Sequence, residues 1–165
     1  MIYPTKHAIG ITIDDNTQIL IHFGTDSAKL NGNGFELLVK PNQKELSALV
    51  NRELTQPDDV RSAAQELVRT GKARRVVVSL GPQGALAVDE TGSVQVVPPP
   101  MKSQSTVGAG DSMVGAMTLK LAQGATLLEM TRYGVAAGSA ATINQGTRLC
   151  SLADTQKIVD YLSRN

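Results

Sequence analysis

The chain has 165 residues, 41% of them apolar, 19% charged and 3% aromatic, which suits one globular domain and excludes a disordered, collagenous or disulfide-stapled chain. Sixteen basic against 15 acidic side chains leave a net charge of +1, so no bulk field favours nucleic acid or an acidic membrane surface. No apolar run reaches the roughly 18 residues of a spanning helix, residues 1–20 lack the order of a signal peptide, and the single Cys150 suits a reducing compartment; a cytoplasmic protein is expected.

Ile9, Ile11 and Ile13, then Ile19, Ile21 and Phe23, alternate with period 2 on either side of Asp14-Asp15-Asn16-Thr17, which predicts a β-hairpin with those acids in its turn. Residues 24–34 are turn formers and predict a loop, followed by a short strand over 36–39. Asn42-Gln43-Lys44-Glu45 opens a helix. Pro57 with Asp58 and Asp59 opens another, whose Val60, Ala63, Ala64, Leu67 and Val68 share one apolar face until Gly71 ends it. The run Val76-Val77-Val78-Ser79-Leu80 reads as a strand buried on both faces. After Gly81-Pro82-Gln83-Gly84 come two short strands, 85–88 and 94–97, around the turn 89–92, and Pro98-Pro99-Pro100 stiffens a crossing segment. Three helices close the chain, from Asp111 to about Gln123, from Thr126 to about Asn144, and from Asp154 to Leu162. The first two are rich in Ala, Gly and Met, which points to close packing against backbone or a ligand. Strands alternating with helices predict an α/β domain with a largely parallel sheet, its ligands beyond the carboxyl ends of the strands.

The segment Ser105-Thr106-Val107-Gly108-Ala109-Gly110-Asp111-Ser112 joins small residues directly to a helix start. Without bulk at 108–110, backbone N–H groups can approach a phosphate, and the helix terminus adds partial positive charge. Asp111 would be a carboxylate beside that anion cradle, placed to act as general base for an attacking hydroxyl; the simpler alternative is that it caps the helix. A dinucleotide fingerprint is rejected because Met113 stands where its last glycine belongs, and a Walker loop because Gly115-Ala116 stands where Gly-Lys belongs.

Residues Ser105 to Thr118 (STVGAGDSMVGAMT) resemble the second signature of the PfkB group of ribokinase-like sugar kinases. Asn42 to Glu45, after Lys40-Pro41, resemble that family's N-x-x-E element, and Ser79 to Gly84 resemble its nucleotide loop. The three stand in family order, and the resemblance runs from about Asn31 to Arg164. It implies a ribokinase-like, Rossmann-like three-layer α/β fold, of which residues 31–165 form the C-terminal, nucleotide-binding part. Residues 1–30, the hairpin and its linker, resemble no part of the family.

The resemblance implies a 6-phosphofructokinase-like transfer from ATP to a sugar hydroxyl, with fructose 6-phosphate as the candidate acceptor. Asp111 would be the base, and the backbone of Gly108, Ala109 and Gly110 would steady the phosphoryl charge. Asn42 and Glu45 would organise Mg2+ and its waters, with Lys40 on a phosphate. Ser79, Gly81 and Gly84 would lie against the nucleotide, with Ser103 and Ser139 as further candidates. Ser105, Val107, Ala141, Asn144, Gly146 and Arg148 would frame a potassium ion, mostly through carbonyl oxygens. Read without the family, Asn42 with Glu45 is a capping box, and Gly81 to Gly84 an ordinary turn. His7 and His22 stand outside every motif and read as surface or strand histidines.

Family members are considerably longer, and their other half supplies most sugar contacts, a Gly-Gly signature and a lid; this chain has no Gly-Gly pair. The expectation is a truncated relative that keeps the ATP side and has weak or no kinase activity alone. The alternative is a non-catalytic nucleotide-binding remnant, a homo-oligomer through uncovered strand edge, with no nucleic-acid or membrane partner.

Overall fold

A computed structural model describes residues 2–5, 8–14, 17–22, 38–146 and 148–164. Its strands are β1 (Ile2–Thr5), β2 (Ala8–Asp14), β3 (Thr17–His22), β4 (Leu38–Val39), β5 (Arg75–Ser79), β6 (Ala85–Asp89) and β7 (Gly92–Val96). The helices are α1 (Gln43–Leu49) and α2 (Pro57–Arg69), between β4 and β5, then α3 (Ala109–Ala122), α4 (Leu127–Thr142) and α5 (Leu152–Arg164), with a 3-10 turn at Gly81–Gln83. The expected loop over 24–34, Phe23, Glu36, the turn residues Asp15 and Asn16, and His7 lie outside the described residues.

The strands form one sheet in the order β1 to β7. The expected hairpin is β2 with β3, in the register Ile9 to Ile21 and Ile11 to Ile19, and β1 adds a further antiparallel strand. Sequence reading missed β1 because Pro4 removes a ladder donor and discounts a strand. From β3 to β4 and from β4 to β5 the pairing is parallel. The sheet is therefore mixed, not largely parallel. Tight connections at the start of the chain can join only antiparallel neighbours, whereas a helical crossover such as α1–α2 allows the parallel pair β4–β5.

Two compact units are present, Met1–Leu80 with Leu86–Val94, and Gly81–Ala85 with Gln95–Asn165. In the first, α2 turns Val60, Ala63, Ala64 and Leu67 onto a core with Val76 and Val78 of β5, while Val77 on the opposite strand face is also fully buried. The β-branched run is thus buried on both sides, and each such side chain contributes on the order of 1.5–3 kcal/mol. Pro57 begins α2, and Asp59 Oδ2 accepts from the Gln56 amide at 2.9 Å, which holds the Asp59 carboxyl below its ordinary range.

In the second unit α3 packs along α4, and α4 along α5. A Cβ on Gly134 would stand 2.6 Å from Cγ of the buried Met117, so the glycine sets how near the two helices come. Thr126 caps α4 through the Glu129 amide at 3.3 Å. Among the described residues no helix is long and apolar enough to cross a membrane.

Candidate functional site

Helix α3 begins at Ala109, two residues earlier than its expected start, with Gly108 as its N-cap. Asp111 is therefore the third helical residue and not the cap. Gly108 has φ +79°, a left-handed conformation that L side chains rarely adopt, and a Cβ there would stand 2.8 Å from Cδ2 of Leu149. Its carbonyl accepts the first helical bond, from the Ser112 amide at 2.9 Å. A glycine cap brings no side chain to the first-turn amides. In α1 and α4 the amide of the third helical residue, the counterpart of Asp111, is taken, by Asn42 and Thr126. The amides of Gly110 and Asp111 have no acceptor among the described residues, so α3 presents two aligned donors and its positive dipole end beside an exposed carboxylate.

Two side-chain bonds tie the loop after α4 to this helix start, and two more brace the loops themselves. Ser105 Oγ donates to the Gly146 carbonyl at 2.9 Å and accepts from the Val107 amide at 3.2 Å. Asn144 Nδ2 donates to the Leu149 carbonyl at 2.9 Å, and Ser112 Oγ accepts from the Cys150 amide at 3.3 Å. The Gln104 and Ser105 amides both donate to the Thr142 carbonyl, at 2.7 and 3.2 Å. Of the six residues implied for a potassium ion, Ser105, Val107 and Gly146 are joined by these bonds, and Asn144 is tied to Leu149 within the loop after α4. Ala141 is buried at the end of α4, its carbonyl accepting from the Asn144 amide at 3.2 Å, and Arg148 is exposed.

Ser139 is half-buried, its carbonyl accepting from Thr142 Oγ1 at 2.8 Å, and Ser103 reaches the Ser105 carbonyl only at 3.5 Å. Sequence reading missed Ser112, a buried residue of α3 whose hydroxyl accepts from the Cys150 amide. A small polar residue directly before the apolar pair Met113-Val114 was the available signal.

The remaining sequence-predicted residues lie in the first unit, apart from Gly81 and Gly84 in the second. The Asn42 side chain accepts from the Glu45 amide at 2.9 Å while Glu45 Oε2 accepts from the Asn42 amide at 2.8 Å, so the capping box is present. Ser79 donates its amide to the Pro41 carbonyl at 3.0 Å and bridges Asn42 in parallel, which sets Asn42 and Ser79 side by side at the carboxyl end of β5. An open hollow there is lined by Lys44, Glu53, Leu54 and Leu80 as well. Lys40, just past β4, is half-buried. Gly81 and Gly84 both have positive φ and close a turn through the Gly84 amide and Gly81 carbonyl at 3.0 Å; a Cβ on Gly84 would overlap the Val96 carbonyl.

Among the described residues no group of three or more His, Cys, Asp or Glu side chains could hold a metal ion. The donor set does not fit a divalent ion held by protein alone. An ion carried on phosphate oxygens and water would ask for no more than one outer carboxylate, and Glu45, whose Oε2 serves the cap, is the one beside Asn42.

Residues 37–154 match the pfkB family of carbohydrate kinases, and residues 1–55 match EIIA 1 of the phosphoenolpyruvate-dependent sugar phosphotransferase system. Both histidines, His7 and His22, fall in the second match. The chain is 82% identical over 127 residues to ATP-dependent 6-phosphofructokinase isozyme 2 of Escherichia coli, covering 77% of this chain and 41% of that protein. It is 41% identical over 127 residues to the 1-phosphofructokinase of the same organism, covering 77% of this chain and 36% of that one. A crystal structure of Escherichia coli phosphofructokinase-2 in complex with potassium superposes with a TM-score of 0.81 at 78% identity, over 84% of this chain and 44% of that one. The chain thus spans less than half the length of these relatives.

Proposed function

The chain belongs to the pfkB carbohydrate kinase family, and from that premise we propose that it carries the phosphoryl-transfer machinery of an ATP-dependent 6-phosphofructokinase. The observation that carries this reading is the start of α3, whose cap brings no side chain and where the Gly110 and Asp111 amides, without an acceptor among the described residues, stand beside the Asp111 carboxylate. Asp111 takes the proton of the acceptor hydroxyl as its oxygen attacks the γ-phosphorus, the bond from that phosphorus to the β,γ-bridging oxygen breaks, and ADP leaves. The Gly110 and Asp111 amides hold the charge that builds on the transferring group, with Gly108 and Ala109 fixing their direction. Phosphoryl transfer is mostly positioning and charge stabilisation, so these parts suffice for the chemical step.

Glu45 and Asn42 would orient the water shell of a Mg2+ carried by the nucleotide, which would supply neutralising charge for its phosphates. Lys40, Ser79, Gly81 and Gly84, with Ser103 and Ser139, form the nucleotide side. Ser105, Val107, Ala141, Asn144, Gly146 and Arg148 would frame a potassium ion, mostly through carbonyl oxygens, whose charge would fix the shape of the loop. Support for it comes from the hydrogen bonds that hold these loops together and from the potassium complex of the relative. In this reading residues 31–165 are the kinase part. Residues 1–30 have a separate origin, supported by their match to another family.

Calorimetric titration with Mg-ATP, with and without fructose 6-phosphate, tests the proposal. The expected result is nucleotide binding in the 165-residue chain without coupling to the sugar phosphate, and weak turnover, because sugar contacts of this family belong to a part that the match does not cover. Absence of Mg-ATP binding by a folded chain overturns the reading. Turnover of fructose 6-phosphate at an ordinary enzyme rate overturns the expectation of weak activity.

A further inference from the structure

Two glycines on α4 meet α3, and they are not equivalent. At Gly134 an added Cβ would press on Cγ and Sδ of Met117, at 2.6 and 3.0 Å, and an unbranched thioether side chain can re-route. At Gly138 it would stand 3.2 Å from the carbonyl oxygen of Ala109 and 3.5 Å from Cβ of Met113. Neither of those atoms is the end of a flexible side chain. The Ala109 carbonyl can give way only by moving its peptide plane.

That plane matters because of what lies at its other end. A trans peptide is rigid, with its C=O and N–H pointing in opposite directions, and the bond that carries the Ala109 oxygen also carries the Gly110 amide. The Gly110 amide is one of the two donors at the start of α3 without an acceptor among the described residues. A methyl at 138 pushes the oxygen by a few tenths of an ångström and tilts that donor with it.

We infer that Gly138 is a positioning residue for the Gly110 amide: the bare α-carbon lets α4 seat the Ala109–Gly110 peptide at the angle that phosphoryl binding needs. The inference rests on the phosphate-binding role proposed above for this helix start. Burial alone does not separate the two glycines, since both are buried; the atom that each touches does.

The test records the 1H–15N amide spectrum and the Mg-ATP affinity of the 165-residue chain and of Gly138→Ala and Gly134→Ala. Gly138→Ala is expected to move the Gly110 amide resonance in the ligand-free chain and to weaken Mg-ATP binding by about tenfold or more, the range for one donor to a charged group. Gly134→Ala is expected to lower the thermal midpoint while leaving the Gly110 resonance and the affinity near those of the parent. The inference is overturned if Gly138→Ala leaves the Gly110 amide or the affinity unchanged, or if Gly134→Ala disturbs both equally. If the parent's Gly110 amide does not respond to Mg-ATP, the phosphate-binding reading itself fails, whatever the variants do in the ligand-free chain. Should Gly138→Ala not fold, Gly138→Ala with Ala109→Gly, whose first turn can yield around the methyl, is read by the same two criteria.

Discussion

Asn42 and Glu45 hold each other's backbone, the Asn42 side chain on the Glu45 amide at 2.9 Å and the Glu45 carboxylate on the Asn42 amide at 2.8 Å. The proposed function gives the same two residues the water shell of the nucleotide's metal to orient, which would link stability and metal dependence in one pair of side chains. Asn42→Ala removes the cap of α1 and is expected to cost about 1 kcal/mol in thermal or denaturant unfolding. Glu45→Gln keeps a side-chain oxygen for the cap but removes the charge. It is expected to leave stability near that of the parent and to weaken the Mg2+ dependence of ATP binding in calorimetry. A Mg2+ dependence identical to the parent's would reduce Glu45 to a cap.

Asp111 is three residues into a helix whose cap is Gly108, so removing its charge costs no capping bond. Asp111→Asn is expected to lower any phosphoryl-transfer rate of the purified chain by about 10²–10⁴ while Mg-ATP still binds. A rate that does not change with this substitution would assign the turnover to a contaminating kinase.

Ser105 and Ser112 join segments far apart in the chain, to Gly146 and Cys150. Ser112→Ala leaves the Cys150 amide without its acceptor and is expected to destabilise by about 1–3 kcal/mol in chemical denaturation. Ser105→Ala frees the Gly146 carbonyl loop and is expected to flatten the response of Mg-ATP affinity to KCl, with NaCl as the ionic-strength control. A potassium response equal to the parent's would separate that loop from cation binding.

Glu129 and Asp154 both titrate below the ordinary carboxylate range. The Thr126 amide, then its hydroxyl, hold Glu129 down; the Ser151 hydroxyl, then Lys157, hold Asp154 down. A carboxyl with a lower pKa in the folded chain binds fewer protons there than when unfolded. Its stabilisation is therefore present above the unfolded value and is lost as pH falls through the folded one. The thermal midpoint is expected to drop from about pH 5 downward, and Glu129→Gln with Asp154→Asn to flatten that part of the curve. A slope unchanged in the double variant would place the acid sensitivity elsewhere.

Gly84 combines a positive φ with a Cβ position already filled by the Val96 carbonyl. Gly84→Ala must move backbone and is expected to destabilise by more than about 2 kcal/mol, measured by denaturant unfolding, whereas Gly81→Ala meets no atom within 4 Å and incurs only the strain of its φ. Equal losses at the two positions would count against the close approach of Val96.

What the sequence determined alone was local or periodic. The apolar face of α2, the doubly buried β5, the Asn42–Glu45 box and the small residues before Asp111 are all set by neighbours within a turn or two, so spacing reveals them. The tertiary structure decided whatever depends on distant partners. Pairing with β2 makes a strand of a segment that Pro4 argues against, and the hairpin's pairing with β4 makes the sheet mixed. The start of α3 moves to Ala109 because Gly108 turns left-handed under Leu149, a residue far along the chain. The distinction between Gly134 and Gly138 is invisible in a string of small residues, because it depends on which atom of α3 each one faces.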